Sequence, residues 1–242
     1  MLAHIHSEAD LDAALAALGE ADPRFVALIA EAGRPPLRRR QGGFAGLAAA
    51  VVSQQLSTAS AGAIWGRLAA AFEPFEPEAI IRARAPKLAR LGLSAPKIRA
   101  LKEIARAVAD GKLPLATLAD IPADAAHAML TAVHGIGPWT ADIYLLSCLG
   151  HADAWPAGDL ALQEAARVAF GLRARPTAKE MIPLAEPWRP LRAVAARVLW
   201  SYYRAVKGRE GAPVVAKISP NKILPKKTTK KIPPKTRGAN GR

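Results

Sequence analysis

Apolar residues recur at three- and four-residue intervals along almost the whole chain as far as Val206, and no sustained two-residue alternation bounded by turn signals interrupts them. The pattern predicts an all-α body. Ser7, followed three positions on by Asp10, can cap a helix that carries Leu11, Leu15 and Leu18 on one face, with Gly19 as its stop. Asp22 and Pro23 open a second helix. Phe44 to Gln55 reads as an alanine-rich helix buried on all sides, and Ser57 or Thr58 caps the next, which ends near Phe72. Further helices are expected from Ser94 to Asp110, on both sides of a Gly135–Gly137 turn, from Asp159 to Phe170, and from Trp188 to Val206. About ten helices without a long polar linker or a fixed-period repeat make one helical domain, or two interleaved lobes, over residues 1–206.

The last segment breaks the pattern. Residues 207–242 hold eleven basic residues and one acid, Glu210, among prolines and few apolar side chains, so burial cannot offset their ordering entropy. They are expected to form a disordered basic tail. Of the formal charge of +14, +10 lies in this tail and +4 in residues 1–206. Such a balance favours polyanions, nucleic acid first. The single cysteine, Cys148, leaves no internal disulfide, no CxxC zinc site and no four-cysteine iron–sulfur cluster. The opening MLAHIHSEAD has no signal-peptide pattern, and the longest apolar run, Phe44 to Val52, falls short of the ~20 residues of a membrane helix. The expectation is a cytoplasmic, DNA-associated protein.

Met129 to Gly150, MLTAVHGIGPWTADIYLLSCLG, carries the most chemistry. An apolar helix ends at Val133, two glycines bracket Ile136, and Pro138 sits where the next helix begins. Glycine at 135 and 137 lets another molecule approach closely, and the open N-terminus of the second helix offers N–H donors to a phosphate oxygen. An ordinary helical corner has the same spacing.

This run, with the Pro156, Gly158, Asp159 loop that follows, resembles the helix-hairpin-helix, Gly/Pro-rich loop and aspartate signature of the base-excision DNA glycosylases. Within that superfamily the chain is most similar to the DNA-3-methyladenine glycosylase II branch, through Val51 to Ala61, Gly92 to Ala105 and Trp188 to Trp200. The resemblance spans about residues 8 to 205 and implies a two-lobed helical glycosylase domain, with the hairpin at about 123–149. It implies duplex DNA containing alkylated bases as partner, a monomer, and no required cofactor. It also implies a structural monovalent cation on the carbonyls of Thr131, Val133 and Gly135. Endonuclease III and its iron–sulfur relatives are set aside by the single cysteine.

By position alone Asp159 is an N-cap; the resemblance adds the catalytic role, a carboxylate that stabilises positive charge developing on the sugar as the glycosidic bond breaks. Asp142, read as a helix surface residue, and Asp153, in the same loop, are the rival carboxylates. Relatives that also cut the strand carry a lysine where Trp139 stands, and an indole cannot form a Schiff base. A flipped base needs a flat-walled pocket and a plug for the stack. The resemblance assigns Trp139, Trp200, Tyr144 and Gln54 to the pocket, and Gln55 to the wedge. Some relatives place their stacking aromatic at Ile143 rather than Tyr144. Gly135, Ile136, Gly137 and Thr140 are assigned to backbone phosphate. Arg38, Arg39 and Arg40 form a basic run of the kind usually solvated, and His134 is a phosphate neighbour or a surface group. The implied activity is monofunctional hydrolysis of alkylated purines, 3-methyladenine and 7-methylguanine. The alternatives are a non-catalytic helix-hairpin-helix DNA-binding protein and a glycosylase for a deaminated or oxidised base.

Overall fold

The computed structural model describes residues 3–209, and the described residues form twelve α-helices and no β-strand beyond one isolated bridge between His4 and His151. In chain order they are α1 (Glu8–Ala21), α2 (Arg24–Ala32), α3 (Gly43–Ser53), α4 (Thr58–Ala71), α5 (Pro77–Arg82), α6 (Ala85–Arg90) and α7 (Ala95–Ala109). There follow α8 (Ala123–Thr131), α9 (Pro138–Tyr144), α10 (Leu160–Ala169), α11 (Ala178–Ala185) and α12 (Arg192–Arg209). The all-α expectation holds. α12 passes the boundary set at residue 206, and the expected disorder of the tail from residue 210 onward lies outside the described residues.

Local chemistry explains most boundaries. Ser7 Oγ accepts from the Asp10 amide at 3.1 Å while Asp10 accepts from the Ser7 amide at 2.9 Å, a reciprocal capping box. Gly19 does not stop α1, which runs on to Ala21. It is a packing glycine instead, because a Cβ there would lie 3.0 Å from Val26 on α2. The last helix starts at Arg192 rather than Trp188: Arg189 precedes a proline and is held extended at φ −62°, ψ 139°, which ends any helical run before it. α5, α6 and α11 were not foreseen. The first two are six residues each, too short to show a period, though Thr177 and Glu180 form a capping box that marks the start of α11.

Two sets of helices share one apolar core. α12 packs on α1, α2 and α10, while α3 packs on α4, α7 and α9, and α5 and α6 lie on α7. Leu47, Leu101, Leu130, Leu145, Val194 and Leu199 are fully buried in the continuous cluster between them. Each such side chain contributes about 1.5–3 kcal/mol by leaving water. The core thus holds α9, the cap of α10 and the middle of α12 in fixed relation.

Candidate active site

Three elements converge on one carboxylate. Asp159 caps α10, its Oδ1 accepting from the Leu162 amide at 2.8 Å. Trp139, in the first turn of α9, donates its indole N–H to Oδ2 at 2.8 Å, and Trp200, on α12, donates its own to Oδ1 at 3.2 Å. Three donors on two oxygens fix the carboxylate in orientation. An indole N–H lies in the ring plane, so each tryptophan turns an edge to Asp159. All three residues are half-buried.

The loop that brings Asp159 there is pinned on both sides. Its amide donates to Pro156 at 2.9 Å, the Trp155 indole donates to the Met181 carbonyl at 3.0 Å, and Asp153 pairs with Arg189 at 2.6 Å and Arg192 at 2.7 Å. Asp153 is therefore a strut for the loop, committed to two arginines.

The hairpin turn lies between α8 and α9. Gly135 has φ +95°, and a Cβ on it would stand 2.5 Å from the Ala100 Cβ and 2.8 Å from its Cα. Gly137 caps α9 in an ordinary extended conformation, φ −82°, with open space where a Cβ would go. No side chain caps the first-turn amides of α9, which have no acceptor within the helix. Gly135→Ala should therefore destabilise the fold by about 2–4 kcal/mol, from positive φ and overpacking together. Gly137→Ala should leave the melting temperature nearly unchanged, and thermal unfolding of the pair checks both.

Several expected site residues sit elsewhere. Ile136 is buried and its amide donates to Val133 at 3.1 Å, so neither its side chain nor its N–H faces a phosphate. The Thr140 hydroxyl is buried too, accepting from the Gln54 carboxamide at 2.7 Å. Gln54 is thus turned to the hairpin. Tyr144 is wholly buried and lines no open pocket; its neighbour Ile143 is half-exposed, as Trp139 is earlier on the same helix. Of the basic run, Arg39 is occupied by the carbonyls of Ile5 and Cys148, at 3.1 and 3.0 Å, while Arg38 and Arg40 are exposed. His134 is exposed beside the hairpin.

Gln55 is exposed at φ +55°, at the tip between α3 and α4, next to the exposed Leu56. Lys97 was not singled out in the sequence, yet its Nζ donates to the carbonyls of Val52 at 2.7 Å and Gln54 at 2.8 Å. It caps the end of α3 from a different helix, and burial pulls its ammonium pKa down.

Asp142 is a second correction: it is buried, not a surface residue. Burial pushes its carboxyl up to about 8, against the pull of the Arg192 charge and the Trp155 amide, and His127 Nε2 lies 3.7 Å away. Below about pH 4 the carboxyl is protonated folded or unfolded, so its stabilising contribution is fully present there. That contribution is lost as pH rises through about 8. Asp142→Asn should therefore gain on the wild type by more than about 1 kcal/mol between roughly pH 5 and 9, as read by urea unfolding at each pH.

Residues 48–190 match the profile of the HhH-GPD superfamily of base excision DNA repair proteins. The chain belongs to this superfamily. Over 204 residues it is 32% identical to the probable bifunctional transcriptional activator/DNA repair enzyme AlkA of Mycobacterium tuberculosis, covering 80% of this chain and 40% of that one. The chain thus spans about 40% of the length of the curated relatives it first matches. It superposes on Schizosaccharomyces pombe 3-methyladenine DNA glycosylase in complex with abasic DNA. The TM-score is 0.71 at 29% identity, covering 82% of this chain and 97% of the other. A DNA-3-methyladenine glycosidase from Bacillus halodurans gives 0.70 at 30% identity, covering 81% and 91%.

Proposed function

We propose that the protein is a monofunctional DNA glycosylase that hydrolyses the N-glycosidic bond of alkylated purines, 3-methyladenine and 7-methylguanine, flipped from duplex DNA. The observation that carries this reading is the Asp159 carboxylate held by the indole N–H groups of Trp139 and Trp200. As the bond from C1′ to the base nitrogen breaks, its electron pair leaves with the base and positive charge develops on the sugar. Asp159 stabilises that charge, water supplies a hydroxyl to C1′, and the water's second proton departs. An alkylated purine is already cationic, so it leaves without a strong general acid, and an electron-rich indole attracts it.

The remaining residues serve binding. Gln55, exposed at the tip after α3, is the wedge that fills the vacated stack, and the open first turn of α9 at Gly137 meets a phosphate. The turn carbonyls of Thr131, Val133 and Gly135 would hold a monovalent cation. The set fits one, since it is neutral and the Val133 oxygen, which accepts from Ile136, keeps a second lone pair. Such an ion would fix the turn that presents α9. The protein acts on DNA as a monomer, with Asp159 and both tryptophans supplied by one chain.

Trp139 stands where a lyase would need an amine, so the product should be an intact abasic strand. Release of free base from methylated DNA, with bases identified chromatographically, tests the activity. Borohydride should trap no protein–DNA adduct, and a lysine-dependent adduct would overturn the hydrolytic assignment. Methylated DNA left with all its bases would instead favour a non-catalytic DNA-binding protein.

A further inference from the structure

The charge of the body is gathered in one stretch. Residues 82–106 carry eight basic residues against one acid, Glu103, for a net +7, whereas the rest of residues 1–206 carries 15 bases and 18 acids, a net −3. α5 and α6 enclose a cleft of about 700 Å³ whose lining includes Arg82, Arg84, Lys87 and Arg90 over an apolar floor that includes Phe72 and Ala83. All four cations are exposed. Lys87 lies 4.2 Å over the Phe72 ring, and among the described residues Arg82, Arg84 and Arg90 have no hydrogen-bonding or ion-pair partner for their guanidinium groups. Four like charges round one cleft repel each other, and an anion with several charges spaced along it would relieve that repulsion.

The band has a direction. At its other end Lys97, Arg99, His134 and Gly135 line a smaller cavity of about 250 Å³ against the hairpin turn. Arg90 and Lys97 are seven residues apart, so their Cα atoms are separated by no more than about 25 Å. At 3.4 Å per base pair that is at most about seven pairs of duplex. We infer that the cleft between α5 and α6 is a second contact for the phosphate backbone, engaging the DNA that flanks the lesion. Guanidinium groups pair phosphate oxygens in a fork, and they read no base while doing so. The inference rests on duplex DNA being the substrate.

The test compares the full chain with the triple variant R82Q/R84Q/R90Q, whose altered side chains are exposed and so should melt like the wild type. On an undamaged duplex of 24 base pairs, the slope of log affinity against log salt should become less negative by about 2–3 units, at ~0.9 per phosphate no longer neutralised. Two duplexes carrying one abasic-site analogue, with flanks of 5 or 12 base pairs, add the position. Lengthening the flanks should raise wild-type affinity at least tenfold, and the variant should lose most of that gain. Single-turnover base release from methylated DNA at saturating protein should be unchanged. Equal salt slopes for the two proteins would overturn the inference and leave an acidic protein segment as the occupant to seek. Equal losses on short and long flanks would overturn it as well, by placing the arginines at the lesion. Absence of base release from wild type with the slope difference intact would instead sink the glycosylase reading and spare the cleft.

Discussion

Asp159→Asn is expected to lower base release from methylated DNA about a thousandfold or more while duplex affinity holds or rises slightly. The carboxylate accepts from two indoles and from the Leu162 amide. An asparagine keeps one acceptor and sets an NH₂ group against an N–H that had been donating, so it loses both the charge and the fixed geometry. A preorganised charge facing a developing cation is commonly worth about 4 kcal/mol at the transition state, three powers of ten in rate. Ground-state binding moves the other way, because phosphate no longer faces a carboxylate. Single-turnover rates with the circular dichroism spectrum as control decide the matter. Near-normal turnover by the folded variant would remove Asp159 from the chemistry.

The second large effect is expected from the double variant W139F/W200F, which retains two aromatic faces and removes both indole donors to Asp159. A charge-assisted hydrogen bond contributes about 1.5–3 kcal/mol, and part of that is realised only as the transition state forms. The rate at saturating protein should fall about 10- to 100-fold. Affinity for methylated duplex should stay within about threefold, since stacking surface is preserved. Alanine at the same two positions should lose affinity and rate together. If the phenylalanine pair turned over at the wild-type rate, the indoles would serve as walls alone and not as positioning donors.

The helical periods and their caps were legible because each is a local matter of three or four residues, as Ser7 with Asp10, Ser57 and Asp159 show. The hairpin could be read from Gly135 and Pro138, but not the contact with Ala100 that obliges glycine at 135, since that neighbour lies on another helix. Faces of short helices were the weak point. On α9, seven residues long, one position is a rotation of about 100°, enough to send Tyr144 into the core and leave Ile143 at the surface. Asp142 was misplaced for the same reason: a polar residue on a helix too short to show a period is assigned to solvent by default. Lys97 gave no signal, because a long side chain that caps a distant helix looks like any exposed lysine.

The hydrogen bond between Gln54 and Thr140 spans 86 positions of sequence and ties the end of α3 to the first turn of α9. Lys97 holds the same end of α3 from a third helix. Tip and hairpin are thereby parts of one body, so a phosphate bound at the hairpin, as proposed, would fix the position of the tip as well. Under the proposed function the Gln55 wedge would therefore be set in place by the fold itself, with no separate rearrangement needed to bring it up to the duplex.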